Sequence, residues 1–236
     1  MIKFPKTPRV TSDVPEEWMK CQVVVEEKMD GANAAISFVD GKLTLQSRGH
    51  ILTGGSREKL FERLWPWAYE RQPELQDFLG NRYILFGEWL YAKNRIFYDA
   101  LPDIFIAFDM YDKEENYFMS SEWRAFLPDT IKSSHVLWVG RYDKAPPFSS
   151  LIGPSNYQSD KWRKRFNQAM RSSTGKKFYE ESETDRSGLM EGIYVKVEKD
   201  GKVIGRMKRP RPDFEKVRTQ DRLWGRRPLL PNLVSR

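Results

Sequence analysis

Residues 23–33 read Val-Val-Val-Glu-Glu-Lys-Met-Asp-Gly-Ala-Asn, which puts Lys28 where a β-branched run meets a glycine turn. A lysine amine is nucleophilic only when neutral, and its ordinary pKa of about 10.4 keeps it charged at pH 7. A site that uses it must favour the neutral form by burial or by nearby positive charge, a metal ion included. The strand end supplies partial burial. Gly31 allows a tight turn and the close approach of a bulky ligand. Asp30 can orient the lysine, hold a metal or move a proton. The pattern suits a lysine that attacks phosphorus. Lys-x-Asp-Gly is short, however, and taken alone is better read as a surface lysine leading into a turn.

Its company sharpens the reading. Arg48 closes Leu-Gln-Ser-Arg, and Glu88 sits in Ile-Leu-Phe-Gly-Glu-Trp-Leu. Phe108 and Asp109 lie in Ile-Phe-Ile-Ala-Phe-Asp-Met-Tyr, Glu191 and Lys196 in Met-Glu-Gly-Ile-Tyr-Val-Lys-Val, and Arg206 and Lys208 in Val-Ile-Gly-Arg-Met-Lys-Arg. Each segment puts charge into a strand that should be buried. Such a charge requires a partner, a ligand or a metal. The set predicts a polar pocket shared between sheets.

The elements that must carry these residues follow from periodicity. Residues 22–28 and 33–47 read as strands, the second block folding back at Asp40-Gly41 as a type I′ hairpin. Residues 56–72 read as a helix with Ser56 as N-cap and a kink at Pro66. Residues 73–79 form a short helix stopped by Gly80. Aromatic-rich strands are expected at 83–91 and 103–111, a helix at 121–127, and an extended segment at 136–142 ended by Pro146-Pro147. Residues 157–183 suit one or two helices. A second hairpin, 189–198 with 202–209, turns at Asp200-Gly201. Antiparallel strands with inserted helices make an α+β fold.

The chain has 236 residues, enough for a substantial core. No uncharged run is long enough for a membrane helix, and the sole cysteine, Cys21, has no partner for an internal disulfide. A soluble, cytoplasmic or otherwise intracellular setting is expected. The net charge of +7 is concentrated after residue 204, where ten basic residues face three acidic ones. That patch favours a polyanion such as nucleic acid, although a solvated basic tail is the plainer reading.

In order and on strands, these segments resemble the nucleotidyltransferase motifs of the ATP-dependent polynucleotide ligase and capping-enzyme superfamily. Lys28-Met29-Asp30-Gly31-Ala32-Asn33 is similar to motif I, and Asn33 is the variant found in the RNA ligase 2-like group. Ser47-Arg48 resembles motif Ia, Phe86-Gly87-Glu88 motif III, Phe108-Asp109 motif IIIa, Glu191-Gly192 motif IV and Arg206-Met207-Lys208 motif V. The resemblance implies the antiparallel-sheet nucleotidyltransferase (ATP-grasp-like) fold with its nucleotide pocket between sheets. It implies an ATP-dependent RNA ligase in which Lys28 attacks the α-phosphorus of ATP and carries AMP to an RNA 5′-phosphate. It further implies that Phe108 stacks on adenine, Glu88 accepts from the ribose hydroxyls and Lys208 contacts the α-phosphate. Glu191 would hold Mg²⁺ or Mn²⁺, with Asp30 as a second candidate ligand. Arg48 would touch the ribose or the RNA end, and Asn33 would sit near a nick. Glu27 and Arg206 complete the expected nucleotide site.

Plainer readings stand beside these. Phe108 is equally a core aromatic, Arg48 and Glu88 equally a structural ion pair, Lys196 a solvated strand residue and Tyr194 packing. His50 and His135 have no metal-ligand spacing, and Ser56-x-x-Lys59 reads as a helix start. Two departures from the family pattern matter. Arg206 stands where the family often has lysine, and arginine's fork is not interchangeable with an amine. Only 28 residues follow Lys208, too few for an oligonucleotide-binding barrel. The expected division is therefore a nucleotidyltransferase domain at 1–209, with a helical insert at about 143–187, and a basic extension at 210–236. RNA, in the form of a nicked duplex or paired ends, is the expected partner, bound through the extension, the insert or a separate protein. A DNA ligase, a GTP-using capping enzyme and a non-catalytic nucleic-acid-binding relative remain as alternatives.

Overall fold

In a computed structural model, described for residues 1–11, 13–172, 184–214 and 229–235, ten strands form two mainly antiparallel sheets. In the first, the order is β10-β9-β1-β8, with β1 at Gln22–Lys28, β8 at Val136–Arg141, β9 at Gly192–Lys199 and β10 at Lys202–Pro210. The second runs β3-β2-β4-β5-β6: β2 at Ala32–Val39, β3 at Lys42–Ser47, β4 at Tyr83–Trp89, β5 at Phe105–Asp112 and β6 at Tyr117–Phe118. The short β7, Lys132–Ser133, joins β5 in parallel. The predicted α+β architecture is the one observed.

The hairpin signals act as their chemistry requires. Asp40 and Gly41 have φ of 50° and 71°, and Asp200 and Gly201 have 50° and 74°. Two successive left-handed residues match the twist of the flanking strands. β1 is central and covered on both faces, which explains its unbroken apolar run. Val23 and Val25 pack with Ile193, Val195, Val197 and Met207 on the outer side of the first sheet. The second sheet sends Ile36, Phe38, Leu85 and Phe105 outward, against Leu64, Trp67 and Ala68 of helix α1 (Leu64–Glu70) and Leu75 and Leu79 of α2 (Gln72–Leu79). The other side of the second sheet carries a smaller apolar cluster of Ala35, Ile84 and Phe86 with Phe4, Phe108 and Phe118 against it, while the first sheet contributes Glu26, Lys196 and Arg206, the two cations lying beside Asp109.

Several boundaries differ from the sequence expectation. Residues 56–72 are not one helix. A 3₁₀ turn at Ser56–Phe61 precedes α1, Gly55 occupies the N-cap, and no side chain caps it. Pro66 lies in the first turn of α1 rather than at a kink, where its missing N–H breaks no intrahelical bond. Residues 121–126 form a 3₁₀ turn. In the expected helical insert, α3 spans Trp162–Ser172 and docks Trp162, Phe166 and Met170 on Phe97 and Leu230; residues 173–183 lie outside the described residues.

The expected division at residue 210 is not a break in packing. Arg211 and Phe214 are buried, and residues 229–235 pair with the 91–101 loop. Residues 215–228, with most of the expected basic extension, lie outside the described residues.

Candidate active site

β1 delivers Lys28 to the gap between the sheets, where it pairs in register with Gly192. Gly192 cannot carry a side chain there: a Cβ would sit 2.1 Å from the Arg209 carbonyl oxygen. The chain then turns through Met29-Asp30-Gly31 into β2. Gly31 is equally constrained, since a Cβ would meet Leu90 Cδ2 at 2.6 Å and Glu88 Cγ at 2.9 Å. The Asp30 carboxylate fixes the turn. It accepts hydrogen bonds from Asn94 Nδ2 (2.7 Å) and from the Arg95 and Ile96 amides (2.6 and 2.9 Å).

The Lys28 side chain is a quarter exposed, and its ammonium lies 2.9 Å from each oxygen of Glu191. Burial pulls its pKa down, but Glu191, Glu88 and Asp30 outweigh burial and hold the amine above the usual lysine range. Burial pushes Glu191 up from the ordinary carboxylate value, with Lys28 opposing. Burial raises Glu88 to about 7 against the pull of Lys28; its Oε1 accepts from the Gly31 amide at 3.1 Å. Lys208, on β10, is shifted the other way. Partial burial and then Lys28, Arg48 and Arg9 destabilise its charge. A cluster of cations around Lys208 is the electrostatic arrangement that favours an anion.

These groups border a cavity of about 380 Å³. Of the sequence-predicted residues, Glu27, Lys28, Asn33, Arg48, Glu88, Phe108 and Lys208 line it. Arg48 stands at the exposed rim, and Asn33 presents a buried Oδ1 without a hydrogen-bond partner, the kind of acceptor that a ligand satisfies. Glu191 joins the group through Lys28. Three expected residues are also held by partners within the protein. Glu27 turns its carboxylate onto Ser155 Oγ (2.6 Å) and the Asn156 amide (2.9 Å), and burial raises its pKa. Arg206 lies beneath the cavity, 3.4 Å from Asp109 and 3.9 Å from the Phe118 ring centroid. Asp30 holds the turn as described. Among the described residues, no group of three or more His, Cys, Asp or Glu side chains could enclose a metal.

Two features escaped the sequence reading. Lys196 is completely buried rather than solvated. It bridges the sheets, lying 2.7 Å from Glu26 Oε1 and 3.3 Å from Asp109 Oδ1, and it donates to the Phe108 carbonyl. Arg124 and Ser134 complete the shell of Glu26, each at 2.6 Å. The second feature is an N-terminal arm. Phe4, Pro5 and Thr7 line the cavity, and Phe4 packs edge-on to Phe108 with ring centroids 5.2 Å apart. Val10 donates to the Lys208 carbonyl and the Lys208 amide donates to the Pro8 carbonyl, so the arm covers the edge of β10. Its only sequence signal was an aromatic residue beside prolines, which excludes a helix but names no neighbour. Tyr194, read as packing, also faces the cavity. His50 hydrogen-bonds Ser47 and Glu58 at the surface.

The family model for RNA ligase matches residues 22–209. The chain belongs to the RNA ligase family. Solved structures of Naegleria gruberi RNA ligase share the fold. A mutant apo form superposes with a TM-score of 0.60 at 16% identity, covering 91% of this chain and 57% of that one. A mutant with ATP and manganese gives 0.56 at 18% identity, with 91% and 58% covered. The form with pyrophosphate gives 0.55 at 18% identity, with 91% and 57% covered. This ligase-family chain thus spans less than three fifths of the solved chains it matches, and at these identities the likeness concerns the fold. No curated protein matches the sequence.

Proposed function

We propose that the protein is an ATP-dependent RNA ligase that joins RNA 3′-hydroxyl and 5′-phosphate ends through a lysyl-N–AMP intermediate. The observation that carries the proposal is Lys28, presented by a fixed Lys-x-Asp-Gly-x-Asn turn, bound to Glu191 and facing Lys208 and Arg48 across one cavity.

The chemistry follows from that placement. ATP enters with adenine against Phe108, ribose hydroxyls toward Glu88 and phosphates among Lys28, Lys208 and Arg48. Incoming phosphate replaces part of what Glu191 does for the ammonium, and Glu191, 2.9 Å away, is the nearest base for its proton. The Lys28 nitrogen then bonds to the α-phosphorus as the bond to the bridging oxygen breaks and pyrophosphate leaves. Lys208 offsets charge developing on the α-phosphate oxygens. An RNA 5′-phosphate oxygen next displaces Lys28 from AMP, and a 3′-hydroxyl displaces AMP to form the phosphodiester. A divalent cation, Mg²⁺ or Mn²⁺, would be held by Glu191 and phosphate oxygens, as expected for an ion that seldom needs an all-protein cage; it would supply further charge neutralisation.

A nicked duplex or paired ends, in RNA repair, is the substrate class this reading favours. The basic residues of 210–236 or a partner protein would provide non-specific affinity through phosphate contacts. No helix among the described residues is long and apolar enough to cross a membrane.

Intact mass after incubation with ATP and Mg²⁺ or Mn²⁺ tests the proposal, with GTP and Lys28→Ala in parallel. One AMP on the wild type alone is expected. No adduct on folded protein that is not already adenylylated would overturn the reading in favour of a binding module. A GMP adduct would favour a capping-type enzyme.

A further inference from the structure

Residues 229–235, Leu-Leu-Pro-Asn-Leu-Val-Ser, carry no charge and run along the loop that anchors the Lys28 turn. The Lys93 amide donates to the Leu230 carbonyl, Asn232 to Tyr91, Leu233 to Tyr98, Leu101 to Leu233 and Ser235 to Leu101, at 2.8–3.1 Å. Backbone pairing this continuous is a structural strap, not an arm for phosphate contact.

Asn232, almost fully buried, sits at its centre. Its Oδ1 accepts from the Tyr98 amide at 2.9 Å, and its Nδ2 donates to the Leu90 carbonyl at 2.8 Å. Each of those residues forms one wall of the Lys28 turn. The Tyr98 hydroxyl accepts from the Asp30 amide at 2.8 Å. Leu90 fills the space into which a side chain on Gly31 would project. One amide side chain therefore spaces two walls between which residues 28–31 are clamped.

We propose that Asn232 is a positioning residue for Lys28, acting through Tyr98 and Leu90 to hold the amine in line with the α-phosphorus. The proposal rests on the ligase reading. It assigns residues 229–235 to the adenylylation step rather than to RNA binding. The walls that face adenine and ribose, Phe108 and Glu88, make none of the strap's hydrogen bonds. Loss of Asn232 should therefore slow chemistry without weakening ATP binding. A displacement of an ångström or less in a nucleophile is enough for a large loss of rate.

The test is single-turnover formation of the Lys28–AMP adduct, normalised to active sites, in full-length Asn232→Ala, Tyr98→Phe and the double variant. The rate constant should fall about tenfold in Asn232→Ala, with KM for ATP within about twofold of wild type. Tyr98→Phe keeps its ring in the core and should show the same split. The double variant should be little worse than either single one, because both act on one turn. Wild-type rates per active site in Asn232→Ala, or losses that multiply in the double variant, would overturn the proposal. If Asn232→Ala does not fold, Tyr98→Phe with an unchanged rate would overturn it alone. Hydrogen exchange of a peptide covering residues 28–33 supplies a readout independent of activity. Faster exchange in Asn232→Ala supports the clamp even if wild type forms no adduct, and unchanged exchange refutes it.

Discussion

Lys28 and Glu191 meet at 2.9 Å across the seam between β1 and the start of β9, although 163 residues separate them in the chain. The carboxylate favours the charged amine, and on the proposed mechanism it is also the group that receives its proton. Glu191→Gln removes the foremost influence that raises Lys28, leaving burial less opposed. The rising limb of the adenylylation pH profile should therefore move to lower pH. The plateau rate should fall about a hundredfold with loss of the base. Stopped single-turnover assays across about four pH units centred on the unperturbed lysine value of about 10.4 would read both effects, and a profile unmoved by the substitution would contradict the assignment.

Glu88 titrates near pH 7 because burial opposes its charge. The folded protein thus binds this proton more tightly than the unfolded chain, whose value is about 4.5. Between those values the folded state holds more protons, so Glu88's contribution to stability falls as pH rises through the window. Glu88→Gln should raise Tm at pH 8 and change it less at pH 5, as thermal unfolding would show. The same carboxylate is expected to accept from ribose hydroxyls, so wild-type KM for ATP should rise below about pH 7. That limb should flatten in Glu88→Gln.

Lys196 neutralises Glu26 and Asp109 in a fully buried setting. Lys196→Met keeps the volume and leaves two carboxylates short of a cation. Breaking a buried pair from one side costs about 3–5 kcal/mol, and Arg124 and Arg206 should hold the loss toward the lower end. Urea denaturation would measure it. Adding Asp109→Asn should recover part of the loss, and failure to recover any would mean that Lys196 acts by packing alone.

The expected RNA contacts of the basic extension are separable from adenylylation. Replacing Lys216, Arg218, Arg222, Arg226 and Arg227 with alanine should leave adduct formation unchanged. It should weaken RNA binding and flatten its salt dependence, by up to about five phosphate contacts. Titration of RNA at several salt concentrations would decide the matter.

Much of this site could be read in the sequence because its parts sit at strand ends marked by local signals. Asp40-Gly41 and Asp200-Gly201 announced two hairpins, and with them the placements of Arg48, Arg206 and Lys208. Glu88 stood out as an acid in an apolar strand. What stayed hidden depends on sheets facing each other, which alternation along one strand cannot report. Lys196 has the spacing of a solvated residue, and only the opposing β5 turns its position into an interior one. The ion pair of Arg206 with Asp109 and the hydrogen bonds of Glu27 to Ser155 and Asn156 could not be read either, because charge marks a site without naming its partners. The arm at Phe4–Thr7 and the strap at 229–235 lack periodicity, so their docking follows from tertiary surfaces alone. Pro66 misled through position: the residue that breaks a helix interior is tolerated in a first turn.

The central place of β1 has a consequence in time. Its flanking strands are β8 and β9, and Lys28 meets Lys208 only once β10 has folded back. A ribosome adding about 5–20 residues per second needs on the order of ten seconds or more to pass from residue 28 to residue 208. Throughout that interval Lys28 is without Lys208, and until residue 191 has been made it is also without Glu191. On the proposed mechanism Lys28 is thus among the first parts of the site to be made and among the last to be completed, and a nascent chain cut short before Gly192, lacking β9, β10 and Lys208, should not take up AMP.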